Sequence, residues 1–375
     1  MELSVHNSIR AIERVQWDLC FRGDVESWAY YLAVEESDIP GFEWRYVTLR
    51  DSGRLLAAMP AFITEYRLET TAQGHWKRWI ERLNRLVPNL TSLRLACFGS
   101  PVTETCHIGL APELCPESRG ALLRRLFDGL ERHAAEFGIS LVAAKDVAAA
   151  DIDLVGQCLE GRYHRLAGLP TAVLPLPFAD SEAYLRSLSR ATRKDMRRKL
   201  KAATGIKIER SRHIDAVLPE VAALYDETHG RSELQFEHLP PAYFANVLRR
   251  LGDRASCFLY WQDDELVAFN IVLHDRERLV DKFLGMRQAV ARKHNLYFLS
   301  WMTNVEYCLA NGIPVYQSGQ ALYEPKRRLG SRMVENHILF RHRNALINGA
   351  LRVAGQLLHP SDFDSGGKVS PREAA

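Results

Sequence analysis

The side chains whose types and spacing most clearly suggest chemistry are cations. Arg186, Arg190, Arg193, Lys194, Arg197, Arg198, Lys199 and Lys201 fall within sixteen positions, opposed only by Asp195. That is a net +7 inside a 375-residue chain whose total is +3, so everything else sums to −4. Leu185, Leu188, Thr192, Met196, Leu200 and Ala203 recur at spacings of three and four. The spacing predicts one basic amphipathic helix of about five turns, with a less polar stripe and cations around the rest. Such a face either stays solvated and keeps the helix soluble, or attracts the phosphates of a cofactor, a nucleic acid or anionic lipid headgroups. A second segment, HWKRWIERLNRLVP, places Trp76, Trp79, Ile80, Leu83, Leu86 and Val87 on one helical arc, with Lys77, Arg78, Glu81, Arg82 and Arg85 opposite. Paired indoles beside arginines suit a helix lying in a lipid headgroup boundary, and a core-packed helix carries the same stripe.

Other chemistries lack their motifs. The chain has no GxSxG elbow, phosphate-binding P-loop, HExxH or dinucleotide GxGxxG, which removes the hydrolase, kinase, metalloprotease and dehydrogenase readings. The seven cysteines are scattered and show no CxxC spacing, so free, mostly buried thiols and no metal site are expected. Hydrophobic residues make up 47% and charged residues 25%, an ordinary globular composition that excludes disordered and fibrous classes. No run approaches the ~18 apolar residues of a membrane span, and the first residues carry charges where a secretion signal has its apolar core. The expected location is the cytoplasm, with peripheral contact at the inner membrane surface through the two amphipathic segments.

The elements that must position these groups repeat. Arg45–Leu49 and Leu55–Thr64 flank Asp51-Ser52-Gly53, a hairpin signal. Ser118–Phe137 then reads as a helix leading through Gly138 into the strand Ile139–Ala144. In the second half Cys257–Trp261, Leu266–His274 and Leu279–Met286 read as consecutive antiparallel strands. The helix Leu296–Ala310 leads through Gly312 into Ile313–Gln317. The same order twice predicts a duplicated α/β fold of mixed sheets flanked by helices. The domains are expected at 1–155 and 156–355, with a flexible tail at 356–375.

Several motifs carry a resemblance. QWDLC, YYLAVEES and GRLLAAMPAFITEYRLET in the first half are similar to the FemAB-like branch of tandem GCN5-related N-acyltransferase (GNAT) folds. So are EAYLRSLSRATRKDMRRKLKAA, LYDETHGRSELQFEHLPPAYF and HNLYFLSWMTNVEYCLANGIPVYQSGQALYEPKRRLGS in the second. The resemblance implies transfer of an acyl or aminoacyl group from an activated carrier to an amine, with the chemistry in the second domain. No permanently bound cofactor is implied, and the co-substrate would be acyl-CoA or an acyl-carrier protein.

In this family the pyrophosphate loop follows the fourth strand. Here that place, Arg287 to Asn295, lacks glycine, yet Arg287, Arg292, Lys293 and Asn295 stand at a helix start suited to phosphate. Acyl transfer to an amine needs a deprotonated nucleophile, a positioned carbonyl and donors for the oxyanion. The splayed strands at Leu279–Met286 and Ile313–Ser318 would offer backbone N–H groups. Lys326 matches a lysine of FemAB-like proteins and would stabilise the oxyanion or a carrier phosphate. Tyr323 would relay a proton, Glu324 would accept the amine's proton, and His294 is a second base candidate. His229, Arg231 and Glu237 fall where the fold lines its acceptor groove. Three readings compete. One is an N-acyltransferase acting on a lipid or cell-envelope amine, a long-chain sphingoid-type base among them. The second is an aminoacyl-tRNA-dependent transferase acting on a peptidoglycan precursor. The third is a non-catalytic binding protein at the membrane surface.

Overall fold

A computed structural model describes residues 1–67, 92–159, 161–231 and 236–357. Both hairpins form. β2 (Phe42–Asp51) turns through Ser52 and Gly53, both at positive φ, into β3 (Arg54–Arg67), the twist a tight two-residue hairpin requires. Around this pair lie β1 (Glu2–His6), β4 (Ser92–Phe98), the short β5 (Gly109–Leu110) and β6 (Leu141–Ala148). The first sheet runs β1-β2-β3-β4-β6 and is completed by β15 (Asn336–His342) and β7 (His164–Ala167), with β5 paired to β3. Two strands expected in the second domain thus hydrogen-bond into the first sheet, and the sheets do not divide the chain at a single point.

The second sheet has the order β14-β8-β13-β12-β11-β10-β9. Its strands are β8 (Thr171–Pro175), β9 (Ile206–Ser211), β10 (Ala255–Gln262), β11 (Glu265–His274), β12 (Leu279–Met286), β13 (Val315–Gly319) and β14 (Arg332–Val334). Each sheet contains one parallel neighbour pair, β4 with β6 and β12 with β13. The fold is a mixed α/β duplication, as the repeated pattern predicts.

The basic segment differs from expectation. It forms two helices, Ser181–Ser187 and Arg190–Ala202, because Ser189 adopts extended ψ and its Oγ accepts the Thr192 N–H as an N-cap. Thr192 and Met196 are buried, Arg193 and Lys199 are half-buried, and Arg190, Lys194, Arg197, Arg198 and Lys201 are exposed. The Trp76/Trp79 segment lies outside the described residues, as does the tail beyond residue 357. Among the described residues no helix is long and apolar enough to cross a membrane.

Three cores hold the layers. The helices Pro116–Glu136 and Ala149–Leu159 bury Leu122, Leu126, Phe127, Leu130 and Val155 against the first sheet. The helices Ser181–Ser187, Arg190–Ala202 and Leu296–Ala310 cover one face of the second with Tyr184, Met196, Trp301 and Val305. The core on its other face is shared between halves: Tyr30, Ala33, Val34 and Val102 pack with Tyr243, Phe244 and Val247. Tyr30 donates its hydroxyl hydrogen to Val102 O at 2.8 Å and accepts from Tyr243 at 2.8 Å. Deeper in the same seam Lys282 pairs with Glu26, both almost fully buried, and Lys282 also donates to Val102 O at 2.6 Å.

Burial alone would raise the Glu26 carboxyl, but Lys282 and His107 outweigh it and hold it near about 2, below an ordinary 4.5. A depressed carboxyl stabilises the fold above its unfolded value, so this contribution should fade as pH falls from 4.5 towards 2. Glu26→Ala strands a buried ammonium and is expected to cost ~3–5 kcal/mol in urea unfolding at pH 7. The gap to the parent protein should narrow as the acid is titrated; a constant gap down to pH 2 would contradict the assignment.

Candidate active site

β12 and β13 run parallel for only two residue pairs, Leu279 with Tyr316 and Val280 with Gln317. Beyond them the strands part. β12 continues from Asp281 to Met286 with β11 as its one strand neighbour, Met286 N–H bonds Thr228 Oγ1 at 3.0 Å, and β13 stops at Gly319. This opens a row of backbone groups towards the gap, the arrangement by which peptide N–H groups meet a developing oxyanion. At the same level β12 bulges. Ile271 faces Phe283 and Val272 faces Asp281, leaving Lys282 as the extra residue and turning it towards Glu26 of the first half.

The corresponding place in the first sheet is closed. After the Phe98–Ala144 pair, Lys145 lies across the gap and donates to Ser100 O at 3.0 Å and Thr103 O at 2.9 Å. A side chain at Gly99 would meet Lys145 Cγ at 3.1 Å. β6 also runs on past its last β4 pair, but there Cys106 N–H bonds Asp146 O at 2.8 Å along the freed edge.

Buried charges surround the parted arm of β12. Lys326, 4% exposed, donates its ammonium to Ser318 O at the end of β13. Burial lowers its pKa to about 8, opposed by the carboxylates of Glu104 and Asp281. Asp281 accepts from Asn270 Nδ2 at 2.5 Å, Tyr316 Oη at 2.8 Å and Asn304 Nδ2 at 3.2 Å; burial still raises it. Glu104 comes from the first half and accepts from Gln317 Nε2 at 3.1 Å. Gly319 makes room for it at φ +91°: an added Cβ would stand 2.8 Å from Glu104 Oε1 and 3.6 Å from Lys326 Nζ.

Glu237 faces the same seam. Burial raises its carboxyl to about 7, with Lys145 and then Lys282 opposing. Its loop is anchored from both sides. Phe236 packs edge-on against Phe42 and Phe62 of the first sheet, and the His229 ring bonds Glu237 O at 2.8 Å.

The expected residues therefore separate. Lys326 lies at the splay, and Tyr323 is buried one turn ahead of it on the helix Tyr323–Arg328. Glu324 points outward from that helix and is exposed. His294 is buried and donates Nδ1–H to Ala202 O at 3.0 Å, which ties two helices together. The Arg287–Asn295 stretch is no open loop: it forms the helix Gln288–His294, whose first N–H is met by Glu227 Oε1 at 2.9 Å. Arg287 pairs with Glu265, Arg292 and Lys293 are exposed, and Asn295 at φ +52° joins this helix to the next. Arg231 pairs with Glu227 at 3.4 Å on the surface. Glu26, Glu104, Lys145, Asp281 and Lys282 are absent from the sequence expectations. A signal existed for two of them, since Asp281 and Lys282 interrupt an otherwise apolar strand; the loop around Glu104 has no pattern.

With this geometry in hand, residues 189–327 match the acetyltransferase (GNAT) domain family. This segment is a GNAT-type acetyltransferase domain. The chain is accordingly a transferase, and the fold as a whole is a tandem GNAT fold. FemX matches with a TM-score of 0.59 at 13% identity, covering 94% of this chain and 100% of that one. A tandem GNAT protein from the clavulanic acid biosynthesis pathway gives 0.55 at 13%, covering 92% and 99%. The C-terminal domain of a putative lysylphosphatidylglycerol synthetase from Agrobacterium fabrum gives 0.53 at 13%, covering 91% and 94%. No curated protein matches the chain.

Gly319→Ala should destabilise the GNAT-type domain by at least ~1 kcal/mol from backbone strain alone, with a further loss because Glu104 must move. Gly312, also at positive φ but with nothing within 4 Å of an added Cβ, supplies the comparison. Equal unfolding midpoints for the two alanine variants would contradict the Gly319 contact.

Proposed function

We propose that the chain transfers an acyl group from a thioester donor to an amine in the splay between β12 and β13. The observation that carries this reading is Lys326: a buried cation at the end of the parted strand, inside the segment that matches the GNAT family. The amine nitrogen attacks the thioester carbonyl carbon. The C–N bond forms, the C–S bond breaks, and the carrier leaves as a thiolate. Glu237 takes the proton the amine loses, and Lys326 faces the charge that develops on oxygen and then sulfur and returns a proton to the thiolate. A base near 7 and an acid near 8 divide these roles at neutral pH. The acceptor is a lipid or cell-envelope amine; the name of the lysylphosphatidylglycerol synthetase supports a lipid. Acyl-CoA or an acyl-carrier protein supplies the acyl group, its phosphates meeting Arg292 and Lys293, since the helix start at Gln288 is already bonded to a carboxylate.

A second reading, aminoacyl-tRNA as donor, draws on the basic surface. Arg190, Lys194 and Lys201 are exposed and make no ion pair among the described residues. The helix that carries them packs against the one exposing Arg292 and Lys293. The same surface serves contact with anionic membrane.

The deciding assay gives purified protein acyl-CoA or acyl-carrier protein with a panel of amino lipids and envelope amines, and follows free thiol. Release with at least one pairing is expected. No release with any of them, together with tRNA binding that weakens steeply with salt, would replace this reading by the second. With an active pairing, kcat/KM should be bell-shaped, rising near pH 7 as Glu237 ionises and falling near pH 8 as Lys326 loses its proton. Lys326→Met and Glu237→Gln should each lower kcat by ~10²–10⁴-fold. Full turnover in either variant would remove that residue from the mechanism.

A further inference from the structure

The loop from Gly99 to Ile108 belongs to the first half but ends inside the second half's site. It is held along its length. Lys145 donates to Ser100 O and Thr103 O, Tyr30 and Lys282 donate to Val102 O, and Cys106 N–H bonds Asp146 O at 2.8 Å. Asn336 Nδ2 reaches Glu104 O at 3.4 Å, and Gln317 Nε2 holds Glu104 Oε2 at 3.1 Å. The other oxygen, Oε1, stands over Gly319, 2.8 Å from where a Cβ would be, and Lys326 Nζ is 3.6 Å from the same point, so both use space that exists because position 319 has no side chain. Asp281, the second carboxylate acting on Lys326, already accepts three hydrogen bonds.

We infer that Glu104 is a positioning residue for acyl transfer: lent by the first half, it keeps Lys326, held at Ser318 O, charged in the second half's splay, so that neither half forms the site alone. This rests on the role given to Lys326 above. Every charged group facing the pair belongs to the same seam: Asp281 acts on Lys326, and Lys282 and Glu26 act on Glu104. Lys282 is already paired with Glu26, and Glu104 and Asp281 are the carboxylates that act on Lys326.

The test uses full-length Glu104→Gln, which keeps the shape and removes the charge. Losing an opposing charge at this range lowers a buried lysine by about one unit or more. The alkaline limb of kcat/KM should move acidward by that amount, giving roughly a 5-fold loss at pH 8 and little change at pH 6. A readout independent of turnover is the ¹³Cε resonance of Lys326 in lysine-labelled protein, assigned by its loss in Lys326→Arg; its titration midpoint should fall by the same amount. If Glu104→Gln does not fold, Gly319→Ala, which displaces Oε1 and keeps the carboxylate, should move both readouts in the same direction. A folded Glu104→Gln protein with an unmoved limb and an unmoved Lys326 midpoint overturns this inference and leaves the catalytic reading standing. Lys326→Met with full turnover overturns the catalytic reading itself.

Discussion

Charge in a protein interior must be neutralised, and here carboxylates from the opposite half of the chain take part in doing so. Lys282 and Lys326 belong to the second half and are each about 4% exposed. An isolated ammonium at such depth would lose its proton or unfold its surroundings. Glu26, the partner of Lys282, lies in the first half, as does Glu104, which acts on Lys326 together with Asp281 of the second. Most other features follow from this exchange. The helix Trp28–Glu35 must dock so that Glu26 reaches the bulge of β12, the loop after β4 must be tied down so that Glu104 reaches β13, and Gly319 must lack a side chain.

The two halves have similar architecture and different chemistry because their parallel strand pairs separate differently. In the first sheet the pair is four residues long and ends under Lys145, whose ammonium is consumed by two carbonyls of the neighbouring loop. In the second the pair lasts two residues, and β12 runs on with no strand along one edge as far as Met286, whose N–H bonds Thr228 Oγ1. An open strand edge in a buried setting is costly unless something bonds to it. In a transferase the reacting carbonyl and its carrier are suited to that place. The lysine that closes the first splay also fixes the loop that completes the second, so the first half acts as a scaffold for the site.

The surface charge has its own order. Part of the basic segment is satisfied internally: Arg197 pairs with Glu182, Arg198 and Lys199 with Asp195, and Lys199 also lies over the Phe298 ring. The remaining cations on this helix and its neighbour face outward, where long-range attraction of a polyanion is a matter of field and salt and needs no fixed geometry.

Periodicity was sufficient to read both hairpins, the helix before each parallel strand and the outward set of cations, because each depends on neighbours within one turn or one strand pair. Lys326 stands out by the family resemblance of the motif after β13, not by periodicity. What it could not supply was contact between residues far apart. The break at Ser189 depended on a single capping hydroxyl, and the return of β15 to the first sheet joins positions about two hundred residues from their partners. Glu324 and His294 look as reactive in sequence as Lys326, yet packing turns one to solvent and spends the other on a helix tie. By itself the sequence determined a duplicated α/β chain with a cationic face. The tertiary structure alone decided which lysine is buried and which carboxylates answer it, because burial and long-range charge pairing are properties of the packed chain.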